Sequence, residues 1–166
     1  KSEIKDIKKE LEHDLDSKRY EHTLGVAYTA ACLAMRYGYD MEKAYITGLL
    51  HDCAKCMSNK DKLEYCEKYD IPVTKVEQEN PSLLHAKVGA EMSRRKYDIK
   101  DSEIYQAIMY HTTGHPQMTL LDKIIYISDY MEPHRDEAPN LDSVRKQAFI
   151  DINATLLTIL KDSVAY

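Results

Sequence analysis

The chain has no tryptophan and a single phenylalanine among its 166 residues, yet it has 13 tyrosines. Aromatic bulk therefore comes almost wholly from Tyr, whose hydroxyls need polar partners and can line polar cavities. Glycine and proline number five each, and most fall at helix ends. No apolar run nears the roughly 18 residues of a membrane span, so no membrane partner is expected. An excess of positive charge is missing too: the net charge is −5 with His neutral, which argues against a nucleic-acid polymer as partner. A polyphosphate stays compatible if cations are concentrated locally, as metal ions or a few Lys and Arg. The four cysteines, at 32, 53, 56 and 66, come without a signal-peptide pattern, since the charged start lacks an apolar core. A cytoplasmic protein with reduced thiols is the expectation. Cys53-x-x-Cys56 has the spacing of half a zinc site or of a redox pair, but no second pair stands at usable distance; two small, partly buried thiols are expected. The chain opens on Lys1 rather than Met, which points to a trimmed start.

What is present is helical periodicity. Ile4, Ile7, Leu11 and Leu15 mark one amphipathic helix, with Ser2 as its cap. A second, Ala-rich helix is predicted over about 18–36 and ends at Gly38. Asp40 caps a third that carries His51-Asp52 near its C-terminal end. Ser58 or Asn59 starts a fourth, which ends near Tyr69 before Pro72. Thr74-x-x-Glu77 reads as a capping box. Pro81 and Ser82 open a helix with His85 in its first turns. Asp101 or Ser102 opens another, ended by Gly114-His115-Pro116, with His111 in its last turn. Thr119-x-x-Asp122 starts Leu120 to Met131 and places Asp129 inside a helix ended by Glu132-Pro133. A final long helix is predicted over about 141–161, apolar at Val144, Ala148, Ile152, Leu156 and Ile159, and an exposed apolar stripe on it would permit a homodimer. No segment alternates with period two, so no sheet is expected.

His51-Asp52 follows the apolar stretch Ala44 to Leu50. More metal-ligand types lie around it in other helices: His22, His85, His111 and Asp129. One His-Asp dipeptide says little, and a lone His is more often a hydrogen-bonded core residue than a ligand. The combination says more. Asp129 follows Ile124-Ile125-Tyr126-Ile127-Ser128, and an unpaired carboxylate buried there would be costly; a metal or an Arg resolves it. His51 and Asp52 point about 100° apart on a helix and can still serve one cluster if Asp52 bridges two ions. One half-site would use His22, His51, Asp52 and Asp129, and the other Asp52, His85 and His111. Two ions about 3.5–4 Å apart are the usual arrangement of two-metal hydrolases.

The pattern His22 … His51-Asp52 … Asp129 resembles the HD-domain metal-dependent phosphohydrolase superfamily. Arg19 to Val26, Leu49 to Lys55, His111-Thr112-Thr113-Gly114 and Ser128 to Arg135 are similar to one bacterial branch of it, the YqeK family, over roughly residues 18–160. The resemblance implies symmetrical hydrolysis of diadenosine tetraphosphate to two ADP, by a hydroxide held between two metal ions. It implies iron first, with manganese, cobalt or zinc as alternatives, and ligation by His22, His51, Asp52, His85, His111 and Asp129. Many two-metal relatives have a second His where this chain has Thr112, so the second ion would have fewer protein ligands.

Around that set, Lys55 lies one turn beyond Asp52 and could neutralise a phosphate as charge builds at the leaving oxygen; its plain alternative is a solvated helix-end charge. Arg19 and Arg135 could grip distal phosphates bidentately, against surface charge. Thr112 and Thr113 are candidate substrate contacts, against helix-end roles; His115, four residues after His111 but beyond Gly114, is a candidate substrate contact before a ligand. The resulting expectation is an all-α HD-domain bundle with a dinuclear site between helices. It would form one domain over 1–166, with a motif-bearing core at about 18–135 and a C-terminal packing helix at about 141–161. The rival readings are an HD-type phosphohydrolase or phosphodiesterase acting on another nucleotide, and a non-catalytic nucleotide-binding sensor.

Overall fold

Six helix starts are written into the sequence as side-chain caps. The computed structural model describes residues 3–165, which form ten α-helices, one short 3₁₀ turn and no strand. The helices are α1 (Ile4–Asp14), α2 (Ser17–Tyr37), α3 (Met41–Leu50), α4 (Asn59–Lys68) and α5 (Lys75–Glu79). The 3₁₀ turn Pro81–Leu84 follows, then α6 (His85–Arg95), α7 (Ser102–Met109), α8 (Leu120–Met131), α9 (Leu141–Ala148) and α10 (Ile152–Ala165). Asp16, Asp40, Ser58, Thr74, Asp101 and Thr119 each accept a hydrogen bond from a free amide of the first turn that follows, a contribution of about 1 kcal/mol apiece. Thr74 with Glu77, and Thr119 with Asp122, complete reciprocal capping boxes. Gly38 ends α2 at φ 69°, where a side chain would be strained. The Ser2 cap expected for α1 lies outside the described residues; Glu3 occupies the cap position without a side-chain bond.

The core forms around α2. Its buried Ala27, Ala30 and Ala34 keep that face small, so neighbours approach closely. The closest approach is α3: a Cβ on Gly48 would stand 2.6 Å from Ala27 Cα. Helices α7 and α8 close the opposite side through Ile104, Ile108, Ile124, Ile125 and Ile127, all buried. Ile7, Leu11 and Leu15 seal the base.

Two expectations are corrected. The single helix over 141–161 is two helices, because Asp151 turns its carboxylate to the Ala154 amide (3.0 Å) and starts α10 as a cap. Asp favours that role over a helix interior. On α9 and α10 the buried apolar positions are Val144, Ala148, Ile152 and Ile159, while Leu157 and Leu160 of α10 are exposed. His51-Asp52 and His111 lie just past the ends of α3 and α7 rather than inside them, a displacement with consequences for the site.

Gly48→Ala tests the α2–α3 approach. The new methyl meets backbone rather than a flexible side chain, so overpacking should exceed the propensity gain of Ala and cost about 1–3 kcal/mol. Urea denaturation would read this as a lower midpoint at unchanged slope.

Candidate metal centre

Three of the candidate histidines turn back onto the main chain where a helix or 3₁₀ segment closes. His51 Nδ1 donates to Gly48 O at 2.7 Å, His85 Nδ1 to Ser82 O at 3.0 Å, and His111 Nδ1 to Ile108 O at 2.7 Å. Each reaches back three residues to a carbonyl in the closing turn of a helix or 3₁₀ segment. A carbonyl can only accept, so the ring proton is on Nδ1 and the lone pair of the neutral ring is on Nε2. His22 lies inside the continuous helix α2, where carbonyls are already bonded. It donates Nδ1 instead to Glu132 Oε2, at 2.6 Å.

The four Nε2 atoms converge on Asp52. Its Oδ2 lies 3.8 Å from His22 Nε2 and 3.4 Å from His51 Nε2. Its Oδ1 lies 3.6 Å from His85 Nε2 and 3.3 Å from His111 Nε2. Asp129 Oδ1 completes the first side, 2.9 Å from His22 Nε2 and 3.5 Å from His51 Nε2. His51 Nε2 is buried with no hydrogen-bond partner, although two carboxylates stand nearby. Two donors each about 2.1 Å from one ion are themselves about 3.0–3.4 Å apart, close to these separations. Imidazole and carboxylate suit first-row divalent metals, so the residues present fit such an ion. Two triads, His22–His51–Asp129 and His51–Asp52–His111, each bring their donor atoms within 4.8 Å of one another.

The electrostatics is lopsided. Burial opposes charge on Asp52, but His51 and His111 outweigh it and hold the carboxyl well below its usual range. His22 and His51 do the same for Asp129. Burial likewise opposes the His51 cation, yet Asp52 and Asp129 push its pKa up to about 10. On the other side, burial pushes His85 down to about 4. The carboxylates thus favour a proton on His51 and burial disfavours one on His85; a dication beside His51 would displace its proton.

A cavity of about 640 Å³ opens beside Asp129 and His111, lined also by Arg19, Thr112, Tyr126, Tyr130, His134 and Arg135. That is room for a drug-sized or nucleotide ligand. Arg19 Nη1 donates to Asp52 Oδ2 at 3.0 Å. Arg135 donates through Nε to Asp129 O at 3.1 Å and through Nη2 to Asp129 Oδ1 at 3.3 Å.

Comparison with known proteins decides the family, since the HD domain model matches residues 19–133. The chain belongs to the HD-domain family. It is 40% identical over 156 residues to a Bacillus subtilis protein named bis(5'-nucleosyl)-tetraphosphatase, symmetrical, covering 94% of this chain and 83% of that one. A Staphylococcus aureus protein of the same name is 34% identical over 165 residues, covering 98% and 84%. The crystal structure of a predicted HD superfamily hydrolase involved in NAD metabolism, from Clostridium acetobutylicum, superposes with a TM-score of 0.92 at 39% identity, covering 99% of this chain and 86% of that one.

The HD-domain frame brings all six proposed ligands together, with Arg19, Arg135 and Thr112 at the adjoining cavity. Lys55 is half-buried beyond them, and its charge acts on His85. Two candidates stand apart. Thr113 is exposed and donates to Gly114 O at 3.0 Å. His115 lies 2.7 Å from Asp122 Oδ2, which also accepts from Gln106 at 2.8 Å and the Thr119 amide at 2.9 Å; it fastens the loop after α7 to the start of α8. The thiols of Cys53 and Cys56 part company, the first buried against Gly89 O and the second exposed beside Asp16. Sequence reasoning missed Glu132, Tyr126 and Tyr130. The two tyrosines stand one turn apart on α8, flanking Asp129, and that spacing was a usable signal.

Proposed function

We propose that this HD-domain chain is a metal-dependent hydrolase that splits diadenosine tetraphosphate symmetrically into two ADP at a two-ion centre. The observation that carries the reading is the two-sided carboxylate of Asp52, which offers one oxygen to His22 and His51 and the other to His85 and His111. The relatives named as symmetrical tetraphosphatases supply the substrate. His22, His51, Asp129 and Asp52 would hold one ion; His85, His111 and Asp52 would hold the second. Iron is the first choice, with manganese, cobalt or zinc as alternatives. When bound, the ions supply Lewis acidity to water and to the phosphate oxygens.

The chain's own residues do the rest. Arg19 and Arg135, now resting on the carboxylates of Asp52 and Asp129, present guanidinium forks at the cavity mouth and can exchange carboxylate for distal phosphate. Thr112 offers a hydroxyl on the same wall. Lys55 lies toward the His85 side, so a polyphosphate lying across the centre meets a cation at each end. Such placement stabilises charge that builds as the anhydride breaks.

Three measurements test this. Asp52→Ala should empty both half-sites and Asp129→Ala mainly one, read as metal per chain by elemental analysis; two ions retained in Asp52→Ala would refute the bridge. Hydrolysis in ¹⁸O-water should give labelled ADP, whereas ATP and AMP as products would place the enzyme in another branch. Lys55→Ala should keep its metal while kcat falls about 10- to 1,000-fold. Arg135→Ala should raise KM at least as much as it lowers kcat, because a distal clamp also acts in the ground state.

A further inference from the structure

Of the four histidines, only His22 is steadied by an ionisable group. The others lean on main-chain carbonyls that come with the helix ends; His22 depends on Glu132, at the close of α8, 110 residues away in sequence. Glu132 is 1% exposed, and both of its oxygens are in use. Oε2 accepts from His22 Nδ1. Oε1 accepts from the His134 amide at 2.6 Å and faces His134 Nδ1 at 3.0 Å. Space for the carboxylate exists because residue 25 is glycine: a Cβ there would stand 2.4 Å from Glu132 Oε1. Arg145 then locks the main chain around it, donating to Met131 O, Glu132 O and Arg135 O at 2.8, 3.0 and 2.7 Å.

We infer that Glu132 is a positioning residue that fixes the ring of His22 for one ion and, through His134, ties that ion to the segment carrying Arg135. The inference rests on the two-ion reading above. It makes the two half-sites unequal: the His22 side has a charged outer partner that raises ligand basicity, and the His85–His111 side has none. A glutamine cannot replace Glu132, although it is the same size. If its carbonyl faces His22, its NH₂ faces the His134 amide, and two donors then oppose each other.

The test is a cobalt(II) titration of chelator-treated protein, following visible absorbance and bound metal by equilibrium dialysis. In Glu132→Gln one of the two ions should bind about 10- to 100-fold more weakly, as expected when an outer-sphere partner is lost, and the other should be unchanged. Gly25→Ala leaves the carboxylate in the chain but displaces it, and should weaken the same ion; Glu132→Asp, which keeps the charge, should restore part of the affinity. Circular dichroism identifies which variants fold, and Glu132→Asp serves if the others do not. Wild-type protein that takes two ions while every folded variant takes them equally well overturns the inference alone. Wild-type protein that takes none overturns the metal reading and this inference with it.

Discussion

The site depends on one hydrogen bond used three times, from an imidazole Nδ1–H to the carbonyl three residues earlier. Inside a regular helix that carbonyl is committed to the ladder; where a helix closes it can take the ring as a further donor, as Ser82 O and Ile108 O do beside a backbone amide. Placing His51, His85 and His111 at such ends lets the backbone set both the tautomer and the aim of each ring. No additional side chain is needed to hold them, which leaves the surrounding positions free to be apolar: Leu49, Leu50, Leu84 and Ile108 are fully buried. His22 has no such carbonyl, and its different anchor follows from its place within α2.

This explains how a polar cluster is tolerated in the middle of an alanine- and isoleucine-rich core. Buried carboxylates are costly unless compensated. Here Asp52 and Asp129 are met by imidazoles from within and by Arg19 and Arg135 from the cavity side. The close packing of α2 against α3, made possible at Gly48, also brings the turn after α3 under His22. Packing and chemistry therefore constrain the same residues.

Much of this could be read from the chain. The caps at Asp40, Ser58, Thr74, Asp101 and Thr119 are local signals, legible because a cap involves neighbours in sequence. The six proposed ligands were legible because their residue types stand out against apolar helices. The break at Asp151 was harder to see: the apolar spacing continues from Val144 through Ile152 to Ile159, and only a local competition between capping and helix separates α9 from α10. Glu132 was hidden for another reason. Its partner is His22, and nothing near either residue announces a bond between such distant positions. His115 read as a substrate contact from its spacing to His111, whereas Asp122 Oδ2, the capping-box oxygen, serves His115, Gln106 and Thr119 together.

The donors come from five separate stretches, with His22 and Asp129 touching across 107 residues. Only the His51-Asp52 pair is contiguous, so no short fragment of the chain could retain an ion for long. An ion at this centre would arrive after folding, as a clasp on a finished bundle rather than a seed for it. Binding only the native state, it would add stability in proportion to the logarithm of its free concentration, about 2.7 kcal/mol at a hundredfold excess over Kd. The resistance of this protein to unfolding would then vary with the metal supply of its surroundings.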